Sequence, residues 1–124
     1  MTQDAVAPQS LAMLDFLGRF LDLWSRHLRD EDGPPPIMLL YIAIQIQKAQ
    51  LEGRKLAKMD VYKCMGKAHM LTARKYLDSA RDHGWVIYKR NPNDRRAINV
   101  LPTQPLIDLL EHMIVRAQEE PIRP

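Results

Sequence analysis

Residues 60–103, DVYKCMGKAHMLTARKYLDSARDHGWVIYKRNPNDRRAINVLPT, carry the densest run of structural signals in the chain. Two short apolar-periodic segments meet at Gly66-Lys67. In the second, Ala73, Tyr76, Leu77 and Ala80 fall at i, i+3, i+4 and i+7, which makes one apolar stripe on a helix over about 68–83. Gly84 stands where the stripe stops, as a residue tolerant of the left-handed cap conformation should. Trp85 to Tyr88 are aromatic or β-branched, so the chain changes there from helix to strand. Asn91-Pro92-Asn93-Asp94 is a dense turn signal, and Ile98 and Val100 alternate with Asn99 on a returning strand. Helix, turn, helix, strand, polar hairpin tip, strand is the order of a winged helix-turn-helix. The predicted fold class is mainly α with a small β-wing, flanked by N- and C-terminal helices.

Charge is concentrated in the same place. From Arg54 to Arg96 there are twelve Lys or Arg against four Asp, a formal +8; all other residues together carry −5, which leaves the modest net +3. A basic segment coinciding with this helix order is the electrostatic footprint of a polyanion binder.

The stretch HMLTARKYLDSARDHGWVIYKRNPNDRRAINVLPT resembles the recognition helix and wing of MarR-type transcriptional regulators. Those regulators carry a Ser/Thr-rich helix start, a Leu-rich helix, Gly-Leu-Val, and a wing with Asp-x-x-Asp-x-Arg before Leu-Thr. The resemblance is close over about a third of the chain, and helix order extends it over the remainder. It places Thr72 and Lys75 on the recognition helix, Asp94 and Arg96 on the wing pair, and Thr103 at the start of the closing helix. Asn91 stands where the family has Asp, and Pro102 where it has Leu. The resemblance implies a repressor. It also implies a small aromatic acid effector, held between dimer helices and winged unit, for which Trp24, Tyr41 and Tyr62 are the candidates.

At 124 residues the chain is read as one domain, with 10–30 and 104–119 as dimerisation helices and 55–103 as the DNA-binding core. The longest apolar run, from Pro36 to Ile46, is interrupted at Gln45 and is too short for a membrane span. The N-terminus lacks a basic region followed by an apolar one, and a single cysteine excludes an internal disulfide, so a cytoplasmic location is expected.

In chain order, residues 1–9 are polar and read as frayed, and Ser10 reads as the N-cap of a helix to about Arg29. That helix carries two apolar stripes: Leu14, Leu17, Leu21, Trp24 and Leu28, and beside it Met13, Phe16, Phe20 and Leu23. One stripe packs a helix onto its own domain; two adjoining stripes point to a second copy of the chain. Asp30 to Pro36 forms an acidic, proline-rich turn, with Pro36 opening the next helix. Helix two, about 36–50, is apolar on nearly all sides and reads as a buried spine between dimer helices and DNA-binding unit. Leu51–Lys55 turns the chain into helix three, about 58–65, with Met59, Val61, Cys64 and Met65 directed to a core. Thr103 reads as the N-cap of a last helix, about 104–119, offering Leu106, Leu109, Leu110, Met113, Ile114 and Ala117 to helix one across a dimer. The dimer-interface candidates are Leu14, Leu17, Leu21, Trp24, Leu110, Met113 and Ile114.

Catalytic patterns are missing from the sequence. The four histidines (27, 69, 83, 112) have no metal-ligand spacing, and the five glycines form neither GxGxxG nor GxxxxGK, so no enzyme, metal or cofactor is expected. Cys64 is a redox-sensor candidate only if its thiol is exposed and activated; on an apolar face it is inert core.

For nucleic acid the residue types suggest definite roles. His69, Thr72, Arg74 and Lys75, towards the start of the recognition helix, are the base-contact candidates, with Arg74 or Lys75 donating to guanine. Arg95 and Arg96 are expected at the minor groove, and Asp94 is expected to orient an arginine through a charge-assisted hydrogen bond. Lys55, Lys58, Lys63, Lys67, Lys89 and Arg90 are phosphate candidates that set register without reading sequence. The first expectation is a homodimeric, sequence-specific regulator on double-stranded DNA. Two alternatives stand beside it: a winged-helix interaction module for an acidic protein, and an initiator using the same fold on repeated sites.

Overall fold

The computed structural model describes residues 3–27 and 37–119, without the side chains of residues 3–8 and Arg95. The order is α1 (Gln3–His27), α2 (Ile37–Leu51), α3 (Lys58–Lys63), α4 (Met70–Asp82), β1 (Val86–Asn91), β2 (Asp94–Pro102) and α5 (Gln104–Gln118). This is the mainly α, winged architecture expected. The acidic turn Asp30–Pro36 and the predicted stripe residue Leu28 lie outside the described residues. Contacts divide the chain into two compact units, one built on α1 and the part of α5 from Glu111 on, the other on α2 through Leu110.

In the second unit, α2 buries Leu39, Leu40, Ile42, Ala43 and Ile46 and leaves Ile37 and Ile44 exposed. Helix α3 begins without a capping side chain at Ala57; Asp60 accepts the Ala57 N–H at 2.9 Å and so satisfies one of the donors that a helix start leaves open. Gly66, at φ +90°, turns the chain into a 3-10 segment (Lys67–His69) and then α4. Helix α4 buries Ala73, Leu77 and Ala80, with Tyr76 half-buried, which is the stripe read from the sequence. Its C-terminus is a Schellman motif: Trp85 N–H bonds Ala80 O at 3.0 Å, Gly84 N–H bonds Arg81 O at 2.9 Å, and Gly84 takes φ +76°.

Trp85 is buried beside the His83 ring and ends this turn, so the strand starts one residue later than the aromatic run suggests. Strands β1 and β2 pair antiparallel, Val86 with Pro102, Tyr88 with Val100 and Arg90 with Ile98, and close at Asn91 and Asp94 around Pro92-Asn93. The Asn91 side chain accepts the Asn93 N–H at 2.9 Å, the local bond for which asparagine is favoured in turns. The segment before α3 joins the sheet: Val100 N–H bonds Leu56 O at 2.8 Å, and Ala57 bridges to Asn99. Thr103 holds the N-cap position of α5, just before Gln104, through its carbonyl, which accepts Ile107 N–H at 3.1 Å. Its hydroxyl donates to Gly84 O at 2.6 Å instead of capping the helix, tying the end of the wing to the end of α4.

In the first unit two expectations need correction. Helix α1 starts at Gln3, so Ser10 is an inner helical residue and residues 3–9 are not frayed. Trp24 and Met113 are buried within the single chain, as is Leu110 in the other unit, so these three predicted interface residues are core. Leu14, Leu17, Leu21 and Ile114 are exposed, together with Leu11, Met13 and Val115. Helices α1 and α5 meet within one chain: Arg19 Nε donates to Ala117 O at 2.7 Å. Among the described residues no helix is long and apolar enough to cross a membrane.

Candidate nucleic-acid interface

With Ala73, Leu77 and Ala80 sealed inside, about 100° of rotation per residue directs Leu71, Arg74, Lys75 and Asp78 to the opposite side of α4. These four, with Ser79 and Asp82, line a shallow depression along the helix. Three of the predicted base-contact residues, Thr72, Arg74 and Lys75, are exposed in the first half of α4, and the fourth, His69, is exposed in the turn before it. Arg74 and Lys75 make no ion pair among the described residues.

The acidic residues of α4 lie further along and are partly engaged. Asp78 accepts the Tyr88 hydroxyl at 2.9 Å. Asp82 lies 4.0 Å from Arg81 on an exposed surface. The start of α4 is therefore its cationic end, and its carboxylates come one to two turns later.

Tyr88 fastens α4 to its neighbours. Lys58 Nζ of α3 lies 4.3 Å from the centre of its ring and Arg81 Cζ of α4 lies 5.0 Å away, while the hydroxyl holds Asp78. Burial first, and then the bond to Asp78, push the Tyr88 phenol far above its ordinary value. Lys58 is half-buried over this ring, whereas Lys55, Lys63, Lys67, Lys89 and Arg90 are exposed and unpaired among the described residues. Arg54 is held by Glu52 at 2.7 Å.

At the wing, Asp94 accepts the backbone N–H of Arg96 at 3.0 Å. This local turn bond fixes the backbone of the tip through one carboxylate oxygen. Arg96 is exposed, and the side chain of Arg95 lies outside the described residues. Arg96 and Asp94 line a second depression with Lys58, Met59, Tyr62 and Ile98. Of the residues assigned to an effector space, Tyr62 lines this depression, Tyr41 is exposed with its hydroxyl 3.5 Å from Cys64 O, and Trp24 is buried. Cys64 is half-buried, and burial pushes its thiol up, so the protonated form holds at neutral pH. Among the described residues no group of three or more His, Cys, Asp or Glu could hold a metal ion.

Leu71 was not singled out by the sequence reading. It is 82% exposed, the most exposed of the large apolar residues described, and stands between the directions of Arg74 and Lys75. The signal was present, since position 71 lies off the Ala73–Leu77–Ala80 stripe.

No family model and no curated protein matches the chain. Solved structures do. A mutant MarR from E. coli complexed with operator DNA aligns over 91% of this chain and 76% of its own, at 18% identity and a TM-score of 0.57. A transcriptional regulator from Thermotoga maritima aligns over 90% and 74%, at 20% identity and a TM-score of 0.61. Wild-type E. coli MarR in its apo form aligns over 94% and 77%, at 16% identity and a TM-score of 0.57. The chain shares the winged-helix fold of E. coli MarR.

Proposed function

We propose that this chain is a sequence-specific double-stranded-DNA-binding regulator, acting as a homodimer and as a repressor in the cytoplasm. The observation that carries the reading is the division of α4: one side sealed by Ala73, Leu77 and Ala80, the other presenting Arg74 and Lys75 without ion-pair partners among the described residues. That is the arrangement of a helix which enters a major groove by its N-terminal half. A protein of the same fold has been crystallised on operator DNA, which supports the direction of this reading. Thr72, Arg74, Lys75 and His69 reach base edges, Lys55, Lys63, Lys67, Lys89 and Arg90 hold phosphates, and Arg95 and Arg96 lie at the minor groove. The exposed apolar residues Leu14, Leu17 and Leu21 of α1, with Ile114 of α5, supply the surface for a second copy. The two recognition helices then address half-sites about one helical turn, or a multiple, apart. A small aromatic acid is the effector class, with Tyr62 as the ring offered to it, and titration with benzoate followed by aromatic fluorescence tests that part.

The deciding experiment is selection of bound duplexes from a random library at stated salt. With roughly 6–10 phosphates neutralised, affinity for the selected duplex is expected to fall about 10³–10⁵-fold between 50 and 200 mM salt. Replacing Thr72, Arg74 and Lys75 by Ala is expected to flatten the preference among duplexes. Uniform weakening with no change of preference would favour an acidic protein partner instead.

A further inference from the structure

We infer that Leu71 is a specificity-determining residue that reads the 5-methyl group of thymine in the major groove; this rests on the DNA-binding reading above. A single exposed leucine is ordinary on a protein surface, and position is what makes this one informative. Leu71 is the second residue of α4, at the helix end that enters a groove in this fold class. It is 82% exposed, and it shares its depression with Arg74 and Lys75. Those three side chains span about 100° of the helix circumference, so whatever the cations contact, Leu71 contacts as well. A solvated polyanion surface offers a leucine little. The major-groove edge of duplex DNA displays hydrogen-bonding groups at every base pair and one prominent apolar group, the thymine methyl. Arg74 and Lys75 select the polyanion, and the branched apolar side chain between them selects the methyl-bearing base.

The same geometry separates Leu71 from the other exposed apolar residues. Leu14, Leu17 and Leu21 repeat along one face of a 25-residue helix, the pattern of a surface for another helix. Leu71 has only charged and small polar neighbours in its depression: Arg74, Lys75, Asp78, Ser79 and Asp82. It is too small a patch to seat a protein partner and is well suited to one or two methyl groups.

The test uses the full chain and a duplex selected from the random library. Each thymine of one half-site is replaced in turn by deoxyuridine, which removes the methyl and leaves every hydrogen-bonding group in place. Wild-type protein is expected to lose about fourfold in affinity at one or two positions, the worth of one buried methyl-sized group. Replacing both half-sites together should lose about fifteenfold. Leu71→Ala should bind thymine and deoxyuridine duplexes equally, and Leu71→Met should keep part of the discrimination. Because Leu71 is exposed, the Ala variant should melt with the wild type. Salt-dependent, sequence-selective binding that is insensitive to every methyl would overturn this inference and leave the DNA-binding reading intact. Retention of full methyl discrimination by Leu71→Ala would overturn it likewise. Failure to select any duplex would remove both.

Discussion

Replacing Tyr88 separates three contacts that converge on one side chain. Tyr88→Phe deletes the hydroxyl that donates to Asp78 at 2.9 Å and keeps the ring under Lys58 and Arg81. A hydrogen bond to a charged acceptor contributes about 1.5–3 kcal/mol net, and the half-buried position puts this one near 1.5 kcal/mol, since water can replace the lost partner. For a chain of this length that corresponds to a fall of about 6 °C in Tm. Tyr88→Ala also removes two cation–ring contacts, each about 0.5–1 kcal/mol, together with the apolar area of a half-buried ring, about 1 kcal/mol, for a total near 4 kcal/mol. Urea denaturation of the three proteins, monitored by far-UV circular dichroism, measures the series.

Alkaline pH supplies an independent arm. Burial, and next the Asp78 carboxylate, favour the neutral phenol in the folded state, so its folded pKa lies above its unfolded value of about 10. The contribution is fully present below pH 10. As pH rises further, the unfolded chain can lose this proton while the folded chain retains it, and stability declines. The slope from this group is at most about 1.4 kcal/mol per pH unit, lessened by solvent at a half-exposed ring. Tyr88→Phe should lack that part of the alkaline decline. If the Phe variant unfolds with the wild type and shows the same pH profile, Tyr88 does not fasten α4, and the account of a braced helix fails.

Three further outcomes follow from local geometry. Gly84→Ala should cost about 1–2 kcal/mol by denaturation, because φ +76° strains an L side chain while nothing lies within 4 Å of the added carbon; Gly84→Asn should cost less. Cys64, its thiol raised by burial, should react slowly with a disulfide reagent at pH 7–8 and faster only as pH passes above 9; rapid modification at neutral pH would restore it as a sensor candidate. On the homodimer reading, Leu17→Lys should sediment as a monomer with the far-UV circular dichroism of a folded chain and a lowered Tm, and a dimer that persists would move the interface off α1.

The winged half of the molecule was legible because its signals are local. One stripe of small apolar residues, a glycine at the stop and a turn of Asn, Pro and Asp each constrain a few neighbouring dihedrals, and α4, Gly84 and the hairpin tip follow from them. Side-chain partners were less legible. Asp94 offered two acceptor oxygens near several donors, and the backbone N–H two residues on takes one of them. Thr103 holds the helix-start position, yet its hydroxyl serves Gly84, nineteen residues earlier. Leu56 and Ala57 meet β2 through pairing that depends on distant segments having already folded.

Leu21 and Trp24 show where periodicity stops being informative. Both belong to one predicted stripe, three residues apart, yet Leu21 is 40% exposed and Trp24 is 2% exposed. Spacing establishes which residues share a helix face; coverage depends on what the rest of the chain lays over it. The same division runs along α5, where Met113 is covered and its neighbour Ile114 is open. Residues that satisfied the apolar pattern therefore fall into two sets with different consequences. Trp24, Leu110 and Met113 hold the single chain together, so truncating them should unfold it. Leu14, Leu17, Leu21 and Ile114 contribute little to that chain, and their apolar surface stays exposed until something else covers it. On the homodimer reading proposed above, a second copy covers that surface and sets the spacing of the two recognition helices.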